Sequence, residues 1–449
     1  MSRTSKVRSP IAIVVLVVAA CALAPQVARG EAPYNIAWSR QIGTSTFDAS
    51  ESVAVDGLGN AYMSGWTHGS LAGPNSGGSN PFLFKYDPSG NVVWSRQIGS
   101  GSGDQSLSVA VDQLGNAYIS GYTSGSLGGP NVGGPDAFLV KYDTSGSLAW
   151  SKQIGTSQTD VSYAVAVDGS GNSYVSGRTD GSLGGPNAGA GDAFLTKFAA
   201  SGNVLWSRQI GTGSNEDIVT VAADALGNAY ITGRTFGALG GPNAGGADVF
   251  LTKYNPSGSL VWTKQIGTSG WDLSESVAVD VLGNVYITGT TPGSLGGTSA
   301  GGIDVFLFKY DASGNVVWSR QFGTGENEFN FSVAVDDLGN AYVGGVASGS
   351  GPTAGSADAS LTKFDSSGNF LWSKQIGSSS DDYCYSVALD GMGNAYISGM
   401  TTGSLAGPNA GNSDAFLVKF SPVPEPSTLL LSGIAAISLA LVGLRSRRK

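Results

Sequence analysis

The chain has 449 residues, too many for one small core and a natural length for one closed ring of repeats. Glycine is abundant at 69 residues, charged side chains make up only 13%, and the formal net charge is −9, which argues against nucleic acid and anionic lipid as partners. A single histidine, His68, excludes a multi-histidine metal site, and two cysteines, Cys21 and Cys384, leave only Cys384 in the body of the chain.

Residues 1–30 read as a secretory signal peptide. Arg3, Lys6 and Arg8 form a basic start, Ile11 to Leu23 an apolar run, and Ala28-Arg29-Gly30 a small-x-small cleavage site. Val18-Ala19-Ala20-Cys21 leaves open a lipoprotein-type cleavage at Cys21, and an uncleaved anchor is a further alternative, for which the apolar run is short. With Cys21 removed, Cys384 has no disulfide partner within the chain, and burial as a small apolar residue is expected for it.

From residue 31 the sequence is periodic. Trp38, Trp94, Trp150, Trp206, Trp262, Trp318 and Trp372 recur every 56 residues, except for a last step of 54. In the copy that ends at Trp150, four strand patterns follow one another: Ser108–Asp112, Asn116–Gly121, Asp136–Tyr142 and Ser147–Ile154. The links 112–116 and 143–146 carry Asp, Asn and Gly, which suits tight hairpins, whereas the link 125–134 is long and glycine-rich. Four antiparallel strands per repeat, seven times over, predict an all-β, seven-bladed β-propeller across residues 31–420. The first Trp strand, 35–42, precedes any complete blade, and the last repeat lacks its fourth strand, so the N-terminal strand is expected to close the last blade.

The Ala-Val-Asp, Gly-Asn-Ala-Tyr-Ile-Ser-Gly and Phe-Leu-x-Lys-Tyr phrases resemble the seven-bladed bacterial β-propeller repeat family over residues 35–420. That resemblance implies the fold and says little of function, because propellers host enzymes, binders and scaffolds alike. The stretch from Lys85 to Trp94 also resembles the tryptophan-docking motif of quinoprotein propellers, one residue shorter between Asp and Trp. From it only a packing role for the seven tryptophans is carried over.

Residues 421–449 form the third segment. Pro424, Glu425 and Pro426 precede an apolar run from Leu429 to Leu444, and the chain then carries Arg445, Arg447, Arg448 and Lys449. A short apolar span with a basic end is a membrane segment whose charges stay on the cytoplasmic side. The order closely resembles the PEP-CTERM sorting signal of Gram-negative bacteria. The resemblance implies recognition by an exosortase, removal of the tail and sorting to the cell surface or extracellular matrix, with membrane contact only through this segment and before processing. A permanent tail anchor is the alternative. Loss of residues 1–30 and 427–449, each with four basic and no acidic groups, takes the net charge from −9 to −17.

Charges recur at fixed offsets. Ten residues after each Trp stands an acid: Asp48, Asp104, Asp160, Glu216, Asp272, Glu328 and Asp382. A second set, eighteen residues on, runs from Asp56 to Asp390, and a third, beginning with Asn80 and Asp136, opens the third strand. The first and third sets are expected on one face with the long loops, and the second in tight turns on the opposite face. Repeating residues usually satisfy turn backbone, which is the structural expectation. The functional alternative is a rim for a hard cation such as Ca²⁺, though no Asp-x-Asp-x-Asp loop supports it. No catalytic constellation stands out. Trp66, His68, Phe236, Trp271 and Tyr383 are the residues that break the repeat most visibly. The expected function is therefore a non-catalytic surface or matrix binding protein associated with exopolysaccharide or surface glycans. A carbohydrate-active lyase or hydrolase and a purely architectural matrix protein are the alternatives.

Overall fold

A computed structural model describes residues 34–348 and 357–423. The signal peptide, Pro424-Glu425-Pro426 and the basic end lie outside the described residues. Twenty-eight strands form seven four-stranded antiparallel sheets, and the described residues contain no helix long and apolar enough to cross a membrane. The first blade is built from Asp48–Val55, Ala61–Thr67, Asn80–Tyr86 and Val92–Gln97. Its second and third strands are buried almost throughout, because each sheet is covered on both faces by its neighbours. The fourth strand is half exposed and forms the outer edge.

The ring closes as the repeat phase predicts. Asp382–Leu389, Ala395–Thr401 and Asp414–Pro422 are completed by Tyr34–Ile42, which lies beside Asp414–Pro422 as the fourth strand of the seventh blade. Gln41 of the N-terminal strand donates to Gly403 O at 2.9 Å and to Asp414 Oδ2 at 2.8 Å, so side chains as well as backbone join the two ends.

The first strand of each blade begins earlier than its alternation suggests. In the second blade it spans Asp104–Val111 rather than starting at Ser108. The cause is a β-bulge between Ser106 and Ser108, which breaks the period of two and hides the residues before it. First strands of successive blades pack on one another around the axis. Serine hydroxyls link them: Val109 N donates to Ser52 Oγ, and Val165 N to Ser108 Oγ.

The core sits between blades rather than at one centre. Leu83 of the first blade packs with Val109, Ile119 and Phe138 of the second, each contributing about 2 kcal/mol of burial. The repeating tryptophan crosses to the next blade. Trp94 Nε1 donates to Thr144 O at 3.1 Å, and Trp38, Trp150, Trp206 and Trp318 each make the same bond to the next blade around the ring. Gly146, at φ +77°, stands under Trp94; a Cβ there would lie 2.7 Å from the indole ring. Cys384 is free and fully buried, and burial pushes its thiol up to about 12.

Candidate functional site

The acids ten residues after each Trp open the first strands. Asp48, Asp104, Asp160, Glu216, Asp272 and Asp382 are fully buried. Their oxygens hold the preceding turn. Asp160 Oδ2 accepts from Thr156 N at 2.6 Å and Thr156 Oγ1 at 2.9 Å. Asp48 and Asp104 also accept from Thr67 and Thr123 of the second strand. Burial pushes the carboxyls of Asp160, Glu216 and Asp382 up, and the hydrogen bonds only partly offset this. Glu328 differs: Thr324 N and Oγ1 bind it, but Ala347 stands where the other blades have threonine. The third set is buried too, with Asp136 Oδ2 taking Gln153 Nε2 and Val132 N of the glycine-rich loop.

The second set lies in the hairpins on the opposite face. Asp56 accepts from Leu58 N, Asn60 N, Asn60 Nδ2 and Tyr62 Oη. The repeating lysine serves the same turn, with Lys197 Nζ 3.3 Å from Asp168 and 4.7 Å from the Tyr174 ring centre. Among the described residues no group of three or more His, Cys, Asp or Glu is placed to hold a metal ion.

The symmetry breaks at the bulge. Three residues after each repeating acid stand Glu51, Leu107, Tyr163, Val219, Glu275, Phe331 and Tyr385, a mixture of acidic, aliphatic and aromatic side chains at one position around the axis. Beside them, at the end of the second strands on the loop face, stand Trp66, Tyr122, Arg178 and Arg234. Two clusters result. Around the first blade, Trp66 Nε1 donates to Glu51 Oε1 at 2.9 Å, and burial raises the Glu51 carboxyl.

The second cluster spans the third to fifth blades. Tyr163 Oη donates to Asp217 Oδ1 at 3.1 Å, Arg234 Nη2 lies 2.7 Å from Asp217 Oδ2, and Arg178 reaches Asp180 at 2.9 Å and Asp217 at 3.8 Å. Burial raises the Asp217 carboxyl, but hydrogen bonds from Arg234 and Ile218 N and both guanidinium charges outweigh it and hold the group below its usual range. Glu275 is pushed up to about 7, mainly by burial; Arg234 opposes this and Asp217 adds to it. Among the described residues Ile218 is the non-glycine residue with positive φ, at 49°, which is strained for a β-branched side chain. The bulge widens there, with the register slipping between Asp217 and Thr220. The backbone of this one blade is thus bent where Asp217 enters the cluster.

The singular aromatics gather on the same face. Phe47 stacks on Trp66 at 4.8 Å with His68 edge-on to Trp66, and His68 is exposed, as its loop position suggests. Phe236 meets Trp271 edge to face at 5.4 Å and lies under Arg234 at 5.9 Å. Trp271 is 59% exposed. Tyr383 stacks on Tyr385. Sequence reasoning singled out these aromatics and missed Tyr163, Arg178, Asp217, Arg234 and Glu275, because it read the copies for what recurs. The signal was the position that varies most between otherwise matching phrases.

A closed ring of seven four-stranded blades with a non-repeating mouth defines a seven-bladed β-propeller. The family model for the β-propeller repeat matches residues 37–72, 93–128, 149–184, 205–240, 261–296, 317–352 and 371–406, and the chain belongs to that family. The PEP-CTERM protein-sorting motif matches residues 422–449, which makes this an exported, surface-directed protein that is processed by an exosortase and associated with the membrane beforehand. The regulatory protein FlaEY of Caulobacter vibrioides is 26% identical over 47% of this chain. An uncharacterized WD repeat-containing protein of Acanthamoeba polyphaga mimivirus is 23% identical over 69%. The chain spans only 24% and 31% of those proteins. Among solved structures, the Neurospora crassa Pan2 WD40 domain (10% identity, TM-score 0.48, 89% of this chain and 99% of that one) is similar. So is a polysaccharide lyase, an ulvan lyase bound to its glycan (11%, 0.47, 84% and 95%).

Proposed function

We propose that this propeller is a non-catalytic binding protein of the cell surface or extracellular matrix, and that it takes a glycan of the exopolysaccharide at the loop-side mouth of its axis. The observation that carries the reading is the contiguous set Trp271, Phe236, Arg234, Asp217 and Tyr163. An exposed indole offers a flat face to the C–H side of a sugar ring. Planar guanidinium and carboxylate groups beside it suit paired hydroxyls. Arg234 Nε is buried without an acceptor, and a sugar oxygen would supply one. Such a seat is single and asymmetric. The test is a glycan array run with Ca²⁺ and again with chelator. Binding that chelator leaves intact supports the axial seat, and binding that chelator abolishes moves the site elsewhere. No binding in either condition leaves the architectural role.

One observation favours a second reading, a carbohydrate-active enzyme: Glu275, pushed up to about 7, lies near the ionised Asp217. A group near neutrality suits proton transfer. Release of reducing or unsaturated ends from any glycan that binds, lost in Glu275→Gln, would establish it.

A further inference from the structure

We propose that the seam between the fifth and sixth blades binds a small aromatic molecule of indole size that carries an N–H donor. In six blades a phenylalanine stands three residues before the repeating lysine, and Phe82, Phe138, Phe194, Phe250, Phe306 and Phe416 are at most 1% exposed. Each ring fills the seam against the preceding blade, as Phe138 does beside Leu83. The sixth blade has Ser360 instead; its seam core of Val305, Leu307, Val333 and Val343 includes the rings of Phe364 and Phe322 but none at the Ser360 position. A cavity of about 360 Å³ lies there, walled by Val305, Phe322, Phe329, Val343, Val346 and Phe370. An apolar cavity of roughly 150 Å³ already accepts benzene, so a bicyclic ring has room.

The polar groups of the cavity define the rest of the ligand. Asn330 lines it and is 2% exposed. Its Nδ2 donates to Thr288 Oγ1 at 2.6 Å, and the Thr288 hydroxyl is itself committed to Phe306 O at 2.8 Å, which fixes the orientation of the amide. Asn330 Oδ1 is buried with no donor, a costly state that a ligand N–H would relieve. Glu328 lines the same cavity, and a Cβ on Gly323 would lie 2.2 Å from Asp304 Oδ1 and 2.6 Å from Glu328 Oε2, so two carboxylates converge beside it. That charge disfavours anionic ligands and favours a neutral or cationic ring. A cavity of the same volume lies between the first and second blades with Phe138 in place, walled by Ile98, Leu127, Val140 and Leu148, but Ser106 stands there where the sixth blade has Asn330, so the unpaired amide oxygen sets the fifth–sixth seam apart.

The test uses ¹⁹F NMR of 5-fluoroindole with the full chain in detergent micelles, against micelles alone. The expected result is a shifted and broadened resonance, with binding about ten-fold weaker for 5-fluoro-1-methylindole, which lacks the donor. Ser360→Phe, which restores the ring of the other blades, abolishes the effect, and Ser360→Leu does the same if the phenylalanine variant fails to fold. An unshifted resonance with the wild-type chain, or equal broadening with either filled variant, overturns the proposal.

Discussion

Tyr163 and Asp217 meet across the boundary between the third and fourth blades, with the phenol donating to the carboxylate at 3.1 Å. Two guanidinium groups, Arg178 and Arg234, converge on the same carboxylate. Asp217 has no acidic counterpart in the other blades, where Ala49, Gln105, Val161, Leu273, Phe329 and Tyr383 stand, so the contact owes nothing to the needs of the repeat.

Asp217 is therefore the keystone of the axial cluster. Asp217→Asn keeps the shape and removes the charge that both arginines face. A loss of about 1–3 kcal/mol is expected in urea unfolding, because partly buried cations lose their partner. Glycan affinity should fall at least ten-fold while the far-UV spectrum stays that of an all-β chain.

Glu275 gives the mouth a pH dependence whose sign follows from its environment. Burial raises its folded value to about 7 from an ordinary 4.5, so the folded state holds a proton more readily than the unfolded one. Stability from this group is complete below about 4.5 and is lost as pH rises toward 7, on the order of 1–3 kcal/mol in all. The buried Asp160, Glu216 and Asp382, also raised, act in the same direction. Asp217, held low, acts oppositely, but only as pH falls below the ordinary carboxylate range. Thermal melts between pH 4.5 and 7.5 should show the wild-type midpoint falling with pH and Glu275→Gln falling less. Parallel curves for the two chains would refute the assignment.

Gly146 tests the docking of tryptophan between blades. Its positive φ and the 2.7 Å approach of Trp94 leave no place for a side chain. Gly146→Ala should cost about 2–4 kcal/mol from left-handed strain and overpacking together. Gly57, whose added Cβ would meet nothing within 4 Å, should tolerate alanine within about 0.5 kcal/mol.

Deleting residues 31–42 removes the strand that completes the seventh blade and exposes the edge of Asp414–Pro422. The shortened chain should melt at least 10 °C lower and elute as aggregates on size exclusion. A monomer of unchanged midpoint would mean that closure contributes little.

The architecture was legible because each blade repeats one solution to one problem. Trp94, the Asp112 turn and the Lys141 strand could be read from spacing alone, and so could the closing role of 35–42. The bulge at Leu107 was not legible, since it interrupts the alternation that marks a strand, and with it went the start of every first strand. The acids from Asp48 to Asp382 recur because every blade has the same turn to hold, and that recurrence resembles a binding rim until burial is known. The axial cluster was hidden for the opposite reason. Asp217 is singular and Glu275 recurs only as Glu51; both are distant in sequence from Tyr163, and only the ring brings them together. Ser360 was visible as one departure from a phenylalanine pattern, but the space that it leaves depends on Val305 and Phe322 of the neighbouring blade.

The central claim is that the axial mouth, rather than the repeating acids, binds glycan. The most direct measurement compares the wild-type chain with Trp271→Ala and Arg234→Ala on the same glycan array in the presence of chelator. The account predicts retained binding for the wild type and its loss in both variants, with melting midpoints little changed for Trp271→Ala. Binding of equal strength by all three proteins would contradict it.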